Sequence, residues 1–299
     1  MGKIADKVAE IFTVKKTDNQ FIYIVKSMVN RFDQHNITQT AGQFAYFSML
    51  SIFPFIVLVN ALIDKFKLSG EFVEKVLSEV FPLQVAETIG TYVDYVVNLG
   101  SGAGVISAGV IVALFSASKS VRSLSIAVNM ALGINEKRFF LSRIIMSMFL
   151  TLILSVVIIL CIIVATVGRE WTYKIILLID MPVSWLDGIS MGKWVIVFVA
   201  LLVLLTLVYW ILPIRRVKFR SVIPGAVFAL MANCILTYVY SKYVEYFTTF
   251  SLLYGSMGVV LFLALWLYFL GIFIIMGAEL NGILQEKKYF YATKIDEKN

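Results

Sequence analysis

Few side chains in this 299-residue chain have the chemistry to do more than pack, and most of those sit in apolar surroundings. Glu279 stands at the C-terminal end of an apolar run, residues 252–284, that holds no Lys, Arg or Asp. A carboxylate in a membrane span is costly unless it is paired, faces water or is neutral. The rest of the chain is therefore expected to supply Glu279 with a partner or a cavity. Ser118, Arg122, Ser125 and Asn129 recur at i, i+4, i+7 and i+11, which puts them on one helix face. Arg122 and Glu279 both fall near the cytoplasmic boundary when spans are counted, so the two are expected to approach each other. Gln43, Tyr46 and Asn233 are further polar residues at membrane depth. With Arg122, Asn129 and Glu279 they form the candidate set for transport or gating.

The same inventory argues against catalysis. His35 is the only histidine, and neither HExxH nor a His- or Cys-rich metal cluster is present. No GxxxxGK[ST] loop exists to hold a nucleotide, and GSGAG at 100–104 leads into an apolar run without a following Lys. Serines are plentiful, but one histidine at a cytoplasmic edge gives no credible triad. Cys161 and Cys234 both lie in apolar runs and read as small buried residues, not as a disulfide. The expectation is a protein without catalytic residues, metal ligands or cofactor, and not an enzyme.

Positioning these residues falls to helices. The chain is 60% hydrophobic and 15% charged, against about half and a quarter for a soluble domain. Apolar runs recur along its whole length. The pattern predicts an all-α polytopic membrane protein with six spans, at about 40–63, 103–130, 144–167, 194–214, 222–244 and 256–284. A cytoplasmic arm (1–35) precedes this transmembrane domain (36–284), and a cytoplasmic tail (285–299) follows it. The arm lacks a cleavable signal pattern, so the first span is expected to direct insertion. In the arm, Ile22, Val25, Val29 and Phe32 recur at helical spacing with Lys26 and Arg31 off the stripe. They predict an amphipathic helix that either lies among headgroups or caps the bundle.

In the first span Pro54 predicts a kink or break, with Ser48 and Ser51 placed to satisfy freed backbone groups. Gln39, Gln43 and Tyr46 share a face that is expected to look into the bundle. Residues 64–101 read as two amphipathic helices on the outer surface. The second span's stripe has two open readings: it lines water or meets a polar partner, or it lies outside the core with Lys119 and Arg122 snorkelling to phosphates. The third span is nearly featureless and suits a lipid-facing helix, and Trp171, Tyr173 and Trp185 belong at an interface. Gly225, Ala229 and Asn233 at four-residue spacing predict a close helix contact with a hydrogen bond from Asn233, and Ala278 and Gly282 a second such contact.

Basic residues set the orientation. Nineteen of the 26 Lys and Arg fall in the arm, the stretch from Lys119 in the second span to Arg143, the RRVKFR loop at 215–220 and the tail. Seven fall on the other side. The positive-inside rule then places both termini in the cytoplasm and accounts for the net charge of +7 without nucleic acid.

FAYFSMLSIFPF at 44–55, RSLSIAVNMALGI at 122–134, the LP and VKFRSVIPGA junction at 212–226, and LLYGSMG, WLY and MGAELN between 252 and 281 arrive in order. Together they resemble the YihY/BrkB family of bacterial inner-membrane proteins, over residues 38–284. The resemblance implies a six-span, transporter-like protein of the cell membrane and supplies no catalytic residues. Some members carry a ribonuclease BN label, which nothing in these residues supports. The function expected is a transporter or channel for a small solute, ion or lipid, with membrane lipids and the transported solute as partners. A scaffold or assembly factor is the alternative, and a membrane ribonuclease the lesser one.

Overall fold

The structure, a computed structural model, describes residues 20–66, 103–134, 141–142, 144–153, 185–246 and 256–296. Most of those residues are helical, and none of them is in a strand. We label the helices α1 (Gln20–Gln34), α2 (Ile37–Phe66), α3 (Ala103–Ala131), α4 (Ile144–Ile153), α5 (Trp185–Ile211), α6 (Phe219–Tyr246) and α7 (Ser256–Asp296). Among the described residues two stretches are long and apolar enough to cross a membrane, Phe219–Tyr243 in α6 and Val260–Glu286 in α7. The expected outer helices at 64–101, the aromatic loop and most of the third span lie outside the described residues.

The turns follow from local chemistry. Asn36 has φ near 50°, in the left-handed region that asparagine tolerates better than most residues. It turns α1 directly into α2, with its N–H bonded to the Asp33 carbonyl at 3.1 Å and its own carbonyl accepting from the Thr40 N–H. Gly133, with φ near 66°, ends α3 in a Schellman arrangement. Its N–H bonds the Met130 carbonyl at 3.0 Å, and the Ile134 N–H bonds the Asn129 carbonyl at 2.8 Å. Helix α2 stays helical through Pro54, so of the expected kink or break the break does not occur.

α7 is the hub and packs against α1, α2, α3 and α6. Its contacts are made through small residues, since lipid gives helices no hydrophobic reason to associate and close approach must do so instead. Gly225 of α6 faces the Gly277 carbonyl so closely that a Cβ there would overlap it. Gly277 in turn sits under Tyr209 and Ala229. The expected contact through Gly225 and Ala229 is thus present. Gly282 makes its close contact with the end of α3, where a Cβ would collide with the Ala131 carbonyl. α2 and α3 run antiparallel and are joined by serines. Ser48 Oγ lies 2.6 Å from Ser120 Oγ, and Ser120 Oγ also donates to the Phe44 carbonyl at 3.3 Å. Ser51 spends its hydroxyl on the Ser48 carbonyl, one turn back in its own helix.

Two glycine substitutions separate contact from propensity. Gly282→Ala is expected to destabilise by about 1–3 kcal/mol through overpacking. Gly42→Ala, with nothing within 4 Å of the new methyl, is expected to stabilise by up to about 1 kcal/mol through helix propensity. Unfolding in detergent reads both. Equal effects of the two would contradict the packing at Gly282.

Candidate functional site

The candidate site lies at one end of the bundle, where the start of α2, the ends of α3 and α5, the start of α6 and the last turns of the apolar part of α7 meet. Its centre is Glu279, which has no exposed surface. α1 reaches it because Ser27, Arg31 and His35 fall at i, i+4 and i+8, on the face of α1 turned to the bundle. Arg31 Nη1 lies 3.2 Å from Glu279 Oε2 and donates to the Ala131 carbonyl at 3.1 Å. Its Nη2 lies 2.6 Å from Oε2 of Glu286, two turns further along α7. His35 Nδ1 lies 2.6 Å from the other Glu279 oxygen, a bond that needs the proton on Nδ1 when the carboxylate is ionised.

The guanidinium therefore meets two carboxylates and the negative C-terminal end of α3. Gly282 lets that end come within reach. Chemically, the arrangement neutralises a buried carboxylate and ties α1 to α3 and α7 at once. It replaces the expected pairing of Glu279 with Arg122, which does not form. Counting spans put both charges at one level, but Glu279 faces α1, and Arg122 stands half-buried on α3.

Around this centre, amide side chains bind open backbone. Asn281 Oδ1 accepts from the Gly225 N–H at 2.7 Å, and its Nδ2 donates to the Val222 carbonyl at 3.0 Å. Pro224 lies between them in α6 and lacks an N–H, so Asn281 serves backbone at the weakest point of that helix. Asn129 does the same for the α5–α6 connection: its Oδ1 accepts from the Ile214 N–H at 2.9 Å, and Ser125 Oγ donates to the Leu212 carbonyl at 3.2 Å. Two members of the α3 stripe thus meet a polar partner, as one reading of the stripe required. Tyr209 Oη donates to the Ile274 carbonyl at 2.6 Å.

The remaining candidates go elsewhere. Asn233 Nδ2 donates to the Ala229 carbonyl of its own helix at 2.8 Å and makes no bond across the contact. Gln39, Gln43 and Tyr46 share one face of α2, but that face is exposed, with Tyr46 60% accessible. The small residues Ala41 and Ala45 take the inward face, because α7 and α3 need the close approach that alanine permits. Cys234 is exposed, not buried. In α1 the apolar residues Phe21, Ile22, Val25 and Val29 point outward, and Phe32 at the stripe's edge packs partly on the core. Among the described residues no group of three or more His, Cys, Asp or Glu stands close enough to share a metal.

The site residues that the sequence does not single out are Arg31, His35, Glu286 and Asn281. Arg31 with His35 at i+4, and Glu279 with Glu286 at i+7, were the available signals, each a same-face charge pair.

The Virulence factor BrkB family pattern matches residues 28–299. The chain belongs to the BrkB family. Its relatives include the ribonuclease-like protein YfkH of Bacillus subtilis, 30% identical over 264 residues, covering 88% of this chain and 96% of the relative. A UPF0761 membrane protein of Mannheimia succiniciproducens is 24% identical over 265 residues, with 86% and 88% covered. Another, of Photobacterium profundum, is 27% identical over 296 residues, with 96% and 87% covered. No solved structure matches the chain. As a BrkB-family protein it is a membrane protein, and Arg31 and His35 lie inside the matched region.

Releasing Arg31 should free α1. Arg31→Met is expected to raise amide hydrogen exchange across α1 by roughly 100-fold, as loss of a buried partner worth about 3 kcal/mol implies. Glu286→Gln, which removes only the exposed pair, should stay within about fivefold. Equal exchange in Arg31→Met and wild type would show that α1 is held by other contacts.

Proposed function

We propose that this BrkB-family chain is a transport protein of the cytoplasmic membrane. In this reading six helices cross the bilayer, both termini are cytoplasmic, and polar cargo moves along the exposed face of α2 and α3 without a nucleotide site. The observation that carries it is the exposure of Gln39, Gln43, Tyr46 and Lys119 on two neighbouring helices.

Depth gives that observation its weight. The Asn129 side chain holds the Ile214 N–H, immediately before the basic pair Arg215 and Arg216. In this reading the headgroup level falls near Asn129. Lys119 lies ten residues earlier in α3, about 15 Å deeper at 1.5 Å per residue, close to the middle of a hydrocarbon core about 30 Å thick. A lysine stem is too short to snorkel that distance. An exposed ammonium at such depth calls for a water-accessible path. Gln43 and Tyr46 extend the polar face along α2 between Lys119 and the cytoplasmic end. The closed cluster around Glu279 fixes the end of these helices and leaves their exposed face open.

A second reading, an assembly or docking role, draws on the outward apolar stripe of α1. The ribonuclease-like name belongs to the Bacillus relative, and no described residue cluster here argues for that chemistry.

Flux decides between these readings. Proteoliposomes holding the purified chain are expected to be permeable to a subset of salts and small osmolytes, as read by light-scattering volume changes. Lys119→Gln is expected to lower that permeability about tenfold, equivalent to about 1.4 kcal/mol. Vesicles as tight as protein-free controls across the whole panel would overturn the transport reading and favour the docking one.

A further inference from the structure

Lys119 is the deepest exposed charge among the described residues, and its surroundings are unusual for a cation. Its Nζ stands 5.2 Å from the centre of the Phe47 ring and 4.5 Å from that of Phe115. The rings hold the ammonium between α2 and α3 through their negative faces. Ring faces accept no conventional hydrogen bond, however, and an ammonium carries three donors. Among the described residues those donors meet no protein acceptor and no carboxylate. The described stretches around them hold no Asp or Glu: residues 37–63 of α2, all of α3, all of α4 and residues 256–278 of α7 contain none. Glu279 is already engaged by Arg31 and His35. Arg122, one turn on from Lys119 along α3, has the same sign. Neither residues 37–63 of α2 nor any residue of α3 supplies a carboxylate to offset this ammonium, which leaves it open to an anion from outside the chain.

We propose that Lys119 is a binding point for a phosphate-type oxyanion inside the membrane, so that the cargo of the α2–α3 path is anionic. This rests on the transport reading above. The aromatic pair positions the ammonium and leaves its N–H groups pointing away from the rings. An oxyanion accepts those hydrogen bonds and cancels the charge, and charge-assisted bonds of this kind are among the strong ones. The neighbouring Tyr46 ring, packed edge-on against Phe47 with centroids 5.2 Å apart, adds an exposed hydroxyl on the same helix. A phosphate or phosphodiester, with several oxygens, takes up all three donors. The same chemistry is offered by free inorganic phosphate and by the phosphodiester of a lipid that dips its headgroup into the path.

Amine footprinting on the wild-type full chain tests this without a variant that could misfold. The protein in phosphatidylcholine nanodiscs is treated with a membrane-impermeant acetylating N-hydroxysuccinimide ester. Acetylation of Lys119 is then read by mass spectrometry against exposed Lys218 as internal reference. Lys119 is expected to react, because water reaches it. Adding inorganic phosphate, or replacing part of the lipid with phosphatidylglycerol, is expected to lower the Lys119-to-Lys218 ratio about tenfold. Protection by phosphate in phosphatidylcholine supports the proposal with a free anion as source. Protection only with phosphatidylglycerol supports it with a lipid phosphodiester. Reaction unprotected by either overturns the oxyanion site and leaves the transport path standing. No reaction in phosphatidylcholine overturns the path, and the site with it.

Discussion

The constraint on which the structure depends is the burial of Glu279. A carboxylate with no exposed surface must be compensated where it lies, because neither water nor lipid can do it. The compensation comes from α1 through Arg31 and His35, and it dictates several other features. α1 must end where Asn36 can reverse the chain into α2, or neither residue would reach. α3 must end at Gly133, so that the Ala131 carbonyl is free to share the guanidinium. Residue 282 must lack a side chain, because the Ala131 carbonyl occupies that space. The small helix that looks like an appendage is therefore the partner of the most buried charge in the described chain.

A second tier of polar contacts supports the first. Asn281, Asn129, Ser125 and Tyr209 each bond to backbone of another element, and each serves a place where helical bonding is incomplete or two helices come close. In a bilayer, where burying apolar surface gains nothing over lipid, such bonds and close small-residue packing take over the role of a hydrophobic core. Most lie at the end of the bundle where the basic loop and α1 gather. The exposed face of α2 and α3 is consequently presented by helices fixed at that end.

Much of this was legible in the sequence. The helices fall where the apolar runs fall, the Gly225–Ala229 contact follows its spacing, and the need for a Glu279 partner follows from cost alone. The partner itself was misread. Arg122 and Arg31 are both arginines near one membrane boundary, and linear counting gives depth but not azimuth. Arg31 stood off an apolar stripe, which suggested a solvent-facing residue, yet in a lipid setting the stripe can face outward and the charge inward. Gln39, Gln43 and Tyr46 were read inward for the mirror-image reason: polarity was taken to mean interior, but alanine had the stronger claim on the tight interface. Asn233 shows a further limit. An asparagine in a helix can satisfy itself on the carbonyl four residues back, and sequence spacing does not distinguish that from a bond across the contact.

The central claim is that Arg31 is there because Glu279 is buried, and a double-mutant cycle tests it most directly. The unfolding free energies of wild type, Arg31→Met, Glu279→Gln and the double variant would be measured in one detergent. A charge left alone in the bundle is the main cost of losing Arg31. The account therefore predicts that the double variant is more stable than Arg31→Met alone, with a coupling of about 1–3 kcal/mol. Losses that add to within about 0.5 kcal/mol would contradict it, since independent sites behave that way.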